Sequence, residues 1–292
     1  MMGRSQTTRS WGLGLLAGLA LGPVSAALAP AALAPAALAV ERQELAYVVS
    51  FGPLAALNVT TTIELTPERY RVEATVAPRA WIAWALPWQA HSEVNGQRQA
   101  DGPLQPDDYL ATAQWGVRLR KTALTYVAGS IHVAFDPPGD NDGREAVPPE
   151  LITDSLDPVS AVLSLMTAVA DGHRCPLNLP VFDGHRRFDL ATETLSGPVA
   201  TSDRAALPAD LSQIGPITVC RLHFRSLAGG WRNGERAQFW RTDHPGAERP
   251  PIDLWLAPLP ESALPVPIQV MGGSAFGWVT VALSSHSLRT LP

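Results

Sequence analysis

Along most of the chain, apolar and polar residues alternate one by one. Val59, Thr61, Ile63 and Leu65 interleave with Thr60, Thr62 and Glu64, and Tyr70, Val72, Ala74 and Val76 interleave with Arg69, Arg71, Glu73 and Thr75. A period of two sends successive side chains to opposite faces of an extended strand, so one face is wet and the other dry. The same pattern predicts strands over 44–51, 57–65, 69–77, 91–98 (with Asn95-Gly96 as a turn), 108–115, 117–126 and 130–135. It resumes over 179–182, 186–194, 217–224, 235–241, 252–256, 266–271 and 278–283. Thr66-Pro67-Glu68 and Asp183-Gly184 suit hairpin turns, and prolines at 250, 251, 258, 260, 265 and 267 fence the later strands, since proline cannot donate to a ladder. The expectation is an antiparallel meander with a polar connection over 197–215.

One stretch breaks the alternation. From Asp157 to Asp171 the polar residues Ser160, Ser164, Thr167 and Asp171 recur at steps of four, three and four, while the rest of the circumference is apolar. Asp157 is placed to cap a helix, Pro158 suits its first position, and Gly172 suits its end. A helix apolar around most of its surface must be covered. The predicted fold is therefore mainly β: a curled antiparallel sheet or partly open β-barrel wrapped around one long helix at about 157–171.

A second stretch is ambiguous. Arg79 to Trp88 has no alternate polar position, and Trp81, Trp84 and Trp88 share a helical face at steps of three and four. Buried core is one reading, because indoles bury large areas. An apolar mouth or partner surface is the other.

Charge and cysteine usage narrow the setting. The net charge of −5 has no basic run behind it, and residues 1–39 hold Arg4 and Arg9 but no acid, so their removal leaves −7. That balance argues against a nucleic-acid surface. Arg4 and Arg9 precede an uncharged run from Trp11 to Leu21, with small residues before Ala26 and Ala39. This is the pattern of a secretory signal over 1–39, cut after Ala26 or Ala39, leaving 40–292 as a single β-rich domain in the periplasm with no membrane span. In that compartment Cys175, just past the helix, and Cys220, in a strand, are expected to form a disulfide that staples helix end to sheet; two separate buried thiols are the alternative.

Candidate chemistry concentrates in Asp183-Gly184-His185-Arg186-Arg187-Phe188-Asp189. His185 could act as an acid or base and Arg186 or Arg187 as an anion clamp. Hairpin-turn chemistry, with the arginines facing outward and paired with Asp189, explains the same residues. An inward Arg186 would need a carboxylate, and Asp154 and Asp157 are the candidates. No nucleophile elbow, zinc motif or phosphate loop is present, and the acidic loop at 136–145 places prolines where calcium needs carboxylates. No catalytic residue, metal or cofactor is assigned.

Asp157-Pro158-x-Ser160-Ala161, Cys175, Pro180-Val181-Phe182-Asp183-Gly184-x-Arg186-Arg187-Phe188-Asp189-Leu190, Cys220-Arg221 and Trp255-Leu256 followed by Leu264-Pro265-Val266 together resemble the bacterial domain-of-unknown-function family 3108. The resemblance runs in order over most of the mature chain. It implies an exported envelope protein of antiparallel sheet, broadly similar to lipoprotein-carrier proteins, and carries over no catalytic residue. Three functions follow as expectations. The first is a non-enzymatic binding or carrier module for a lipid-like envelope molecule, with Trp81, Trp84, Trp88, His185 and Arg186 as binding residues. The second is an assembly factor docking an envelope protein through the tryptophans. The third, ranked below both, is a hydrolase working through Asp183 and His185.

Overall fold

The structure, a computed structural model, describes residues 40–98, 103–139, 143–172, 174–175, 177–195, 214–231, 250–260, 262–274 and 277–291. The expected signal over 1–39, the strand at 235–241 and most of the 197–215 connection lie outside the described residues. The alternating segments form β1 (Val40–Phe51), β2 (Leu54–Leu65), β3 (Arg69–Pro78), β4 (Trp88–Gln97), β5 (Gln105–Trp115), β6 (Arg118–Val127) and β7 (Ser130–Asp136). After two helices, α1 (Pro149–Ile152) and α2 (Pro158–Ala170), come β8 (Asn178–Phe182), β9 (Arg187–Thr194), β10 (Thr218–Ala228), β11 (Ile252–Pro258), β12 (Pro265–Ser274) and β13 (Gly277–Leu291).

All thirteen strands belong to one antiparallel sheet in the order β7-β6-β5-β4-β3-β2-β1-β13-β12-β11-β10-β9-β8. Each strand pairs with its chain neighbours except β7 and β8, which do not pair with each other, and β1 joins β13 in the middle and so brings the two halves of the chain together. The sheet is open: β7 and β8 are its edges. It bends until material from the two edge regions meets. His185, in the β8–β9 turn, stacks on Phe135 of β7 and hydrogen-bonds Thr122 of β6. Leu156 bridges to Val181 of β8 in parallel.

The helix is where the caps placed it, but it is not long. Thirteen residues at 1.5 Å each make about 20 Å, so α2 is one of two short helices and not a rod that the whole sheet wraps. Asp157 caps it through the amides of Val159 and Ser160. Ala161, Leu163, Leu165 and Met166 are buried with Leu45, Tyr47, Val94 and Leu283 in one core, and α2 packs against β8 and β12. The polar stripe is not simply its wet side. Ser160 is fully buried and bonds the Tyr70 hydroxyl at 2.8 Å, and Ser164 and Thr167 donate to backbone carbonyls of their own helix.

Three local expectations change. Asn95-Gly96 is no turn: both lie within β4, at a register shift against β5, and Gly96 is needed because a Cβ there would sit 2.5 Å from the Tyr70 ring. Pro265 and Pro267 lie inside a central strand, which they can do because the β12–β13 ladder begins only at Gln269. Arg79 to Pro87 is neither strand nor long helix but a compact loop, closed by Ile82 and Ala83 amides on the Arg79 carbonyl and by Ala85 and Leu86 amides on Ile82. The disulfide joins Cys175 to Cys220 and ties the segment after α2 to β10.

Candidate binding groove

The dry face of β3–β6 can be read row by row from the strand register. Val72, Val94, Tyr109 and Leu124 stand side by side and are buried. The next row is Ala74, Ser92, Ala111 and Thr122, and the one after is Val76, Ala90, Ala113 and Arg120. Beyond them come Trp88, Trp115 and Arg118. Large side chains fill the sheet up to Leu124, and then two rows in which half the residues are alanine leave space unfilled. The result is a groove of about 380 Å³ with an apolar floor and with Arg120, Lys121 and His185 in its lining. That size lies in the range of about 300–1,000 Å³ that small-molecule sites occupy.

The β8–β9 turn closes one side. Gly184 has φ +92°, and a Cβ there would fall 2.2 Å from the Thr122 methyl, so only glycine lets the turn come down onto β6. Asp183 holds the turn's shape: its carboxylate accepts from the His185 and Arg186 amides and pairs with the Arg186 guanidinium at 2.7 Å. Burial pushes the Asp183 carboxyl up, but Arg186 and those amides outweigh it and hold it below the usual carboxylate range. Arg186 therefore takes neither Asp154 nor Asp157 as partner, and its guanidinium is turned to its own turn. Of these two arginines it is Arg187 that is buried, held by the Leu151 carbonyl and by Asp189 at 2.9 Å. The turn reading of the Asp183-to-Asp189 run describes the Asp183-Gly184 turn, but Arg186 pairs with Asp183 rather than Asp189, and Arg187 faces inward.

The expected site residues do not converge on one point. His185 lies over the groove, with its Nε2 3.0 Å from the Thr122 hydroxyl. Trp88 stands beside Ala90 at the groove's outer end. Trp81 and Trp84 are on the loop beyond it, with their indole N–H groups donating to the carbonyls of Ala55 and Trp81. They are not core: Trp84 is 85% exposed. The missed residues are the floor alanines, and they had left a trace. Ala74, Ala90, Ala111 and Ala113 occupy dry-face positions of three adjacent strands, where valine or leucine would fill the core.

A second polar feature lies at the other end of the same strands. Asp157 is fully buried; one carboxylate oxygen caps α2 and the other has no hydrogen-bond partner, and burial pushes the carboxyl up to about 6. Burial, with the nearby Asp157 charge adding to it, also keeps the Tyr70, Tyr109 and Tyr126 hydroxyls protonated well above their ordinary range. A cavity of about 590 Å³ adjoins this cluster, between the β4–β5 loop, Tyr126 and the 154–156 segment. Its lining mixes Gln97, Asp107 and Asp154 with Leu104, Ile131, Leu156, Leu179 and three prolines.

The sequence matches the family model described as Protein of unknown function (DUF3108) over residues 46–271. No curated protein matches it. Among solved structures it is similar to a β-barrel-like protein of the domain-of-unknown-function family DUF1849 from Brucella abortus, with a TM-score of 0.41 and 10% identity, covering 86% of this chain and 98% of that one. It is also similar to a hypothetical protein from Chlamydia trachomatis, with a TM-score of 0.32 and 10% identity, covering 86% of this chain and 88% of that one.

Proposed function

This chain belongs to the DUF3108 family, and from its groove we propose that it is a non-enzymatic binding module for an anionic amphiphile, a lipid-like envelope molecule with an apolar chain and an acidic head. The observation that carries this is the pair of small-residue rows on β3–β6, an apolar trough with cationic groups at one side. The floor would take the chain by burial of apolar surface, and Arg120, Lys121 and His185 would meet the head. Asp183 argues against a hydrolytic reading, because its carboxylate is engaged by two amides and a guanidinium. A base must accept a proton from substrate, and the oxygens of this carboxylate already accept from the turn's own donors.

The test is titration of the delipidated full chain with a dansyl-labelled fatty acid. Saturable uptake is expected, and Ala111→Phe, which puts a ring into the trough, should weaken it about tenfold or more, the scale of one lost apolar contact region. No saturable uptake, or uptake unchanged in folded Ala111→Phe, overturns the reading.

A further inference from the structure

Seven of the eight large hydrophobic side chains that stand exposed among the described residues lie at one end of the sheet: Leu54, Trp81, Trp84, Trp115, Val117, Leu119 and Trp278. The meander puts the β1–β2, β3–β4, β5–β6 and β12–β13 tips at that end, and hydrogen bonds join them into one rim. The Gly52 amide donates to the Trp278 carbonyl, the Trp81 indole to Ala55, and the Gly116 amide to Pro87, at 2.7–2.9 Å. Exposure is near its limit at the most prominent positions, 99% for Val117 and 85% for Trp84. A contiguous apolar rim of this kind marks an interaction surface.

Charge chooses the partner. Residues 50–58, 76–91, 112–122, 271–274 and 277–280, which make up these tips, contain no Asp or Glu, and their charges are Arg79, Arg118, Arg120 and Lys121. The chain as a whole carries −5. Lys121 pairs with Asp136 at the end of β7, 3.6 Å away, while Arg79 and Arg118 stand on tips that hold no carboxylate of their own. In a net-acidic protein, tips that carry arginine and tryptophan in this way are complementary to an anionic surface that also accepts indoles. A bilayer interface has both properties, because indole rings partition to the headgroup level and basic residues are drawn to acidic headgroups.

We infer that the rim docks end-on to an anionic lipid membrane, with Trp84, Trp115 and Val117 entering the interfacial layer and Arg79 and Arg118 meeting the headgroups. The groove's outer row, Trp88 and Trp115, borders the same rim, so a docked chain would open its trough toward the lipid. Docking does not depend on the groove being filled.

The test uses the full chain with a nitroxide label at Val117→Cys, compared with a label at Val127→Cys on the opposite, β6–β7 tip. The two native cysteines are bonded to each other and leave the label one site. Because the label reports its own surroundings, binding through the apolar run at Trp11–Leu21 does not imitate the result. With vesicles containing phosphatidylglycerol, label 117 should become immobilised and more accessible to oxygen than to a water-soluble nickel chelate, while label 127 stays in water. Arg79→Glu/Arg118→Glu should weaken this response about tenfold or more, since each basic residue near an acidic surface is worth a severalfold gain in affinity. The inference is overturned if label 117 stays mobile and hydrated, or if both labels respond alike. It is also overturned if 117 is immobilised only by vesicles carrying extracted envelope proteins, which would assign the rim to a protein. Fatty-acid uptake, measured separately, reports on the groove and is not altered by any of these outcomes.

Discussion

The two ends of this sheet are built from the same strands and differ in almost everything else. At the filled end, Tyr70, Val72, Val94 and Leu124 pack with α2, the disulfide ties Cys175 to the start of β10, and the rim is polar, with Arg69–Asp107, Arg71–Glu93 and Arg42–Glu64 pairs at 2.8 Å. At the other end the dry face shrinks to alanine and other small residues, and the tips carry tryptophan and arginine with no carboxylate in their own segments. One end is made the way stable proteins are made. The other gives up core volume and exposes indoles, both of which cost stability and solubility, and such concessions are expected where a surface has work besides folding. The contrast teaches that strand pairing and core filling are separable: the ladders run the full length of β3–β6 while the packing stops halfway.

The largest effects should come from the filled end. Replacing both Cys175 and Cys220 with serine opens a link across 45 residues and should lower stability by about 4 kcal/mol in chemical denaturation on the chain-entropy account. Next, Leu124→Ala, at a fully buried position, should cost about 3 kcal/mol, whereas Ala111→Phe one row away should change stability by less than about 1 kcal/mol because it enters open space. Equal costs at the two positions would erase the distinction between the ends.

Asp157 is the filled end's weak point, and it titrates. Its folded value of about 6 lies above the ordinary 3.8, so between those values the folded chain holds a proton that the unfolded chain has released. Stability from this group is therefore greatest at acid pH and falls as pH rises to about 6, by on the order of 3 kcal/mol in all. Asp157→Asn keeps a capping side chain and has no proton to lose, so it should gain on the wild type as pH is raised from about 4 to 7 in urea melts. A difference between the two that does not move with pH would show that the carboxyl is not desolvated.

Smaller effects sharpen the comparison at the rims. Arg69→Ala removes an exposed ion pair at the polar end and should cost less than about 1 kcal/mol, fading in high salt. Trp84→Ser should shift the melting curve least, by under about 0.5 kcal/mol, because an exposed ring on a tip loop adds little to the fold. A large loss there would mean that the loop is structural.

The alternating positions on each strand were enough to predict an antiparallel sheet with one dry face, and Asp157, Pro158 and Gly172 were enough to bound α2, because period and caps are local physics. Cys175 and Cys220 could be matched from their number and the expectation of export alone. The Asp183-Gly184 turn was likewise legible, since an aspartate that binds its own following amides and a glycine at positive φ need no distant help. What the turn lands on was not legible. Thr122 and Phe135 lie about fifty to sixty residues earlier in the chain, and only the bending of the sheet brings them to His185.

The fate of Trp81, Trp84 and Trp88 shows the same boundary between local and distant causes. Composition marks them as large and apolar, but whether an indole is buried depends on what the opposite edge of the sheet supplies, and nothing local encodes that. The groove required a comparison across four strands, where separate alanines fall into adjacent rows only once the register is set by cross-strand hydrogen bonds. The chain by itself therefore determined strands, helix limits, turn and disulfide, all consequences of neighbouring residues or of cysteine number. Tertiary structure alone decided which dry positions are filled, which are left open, and that the exposed tryptophans gather at one end, because each of these depends on volumes and charges contributed by segments far apart in sequence.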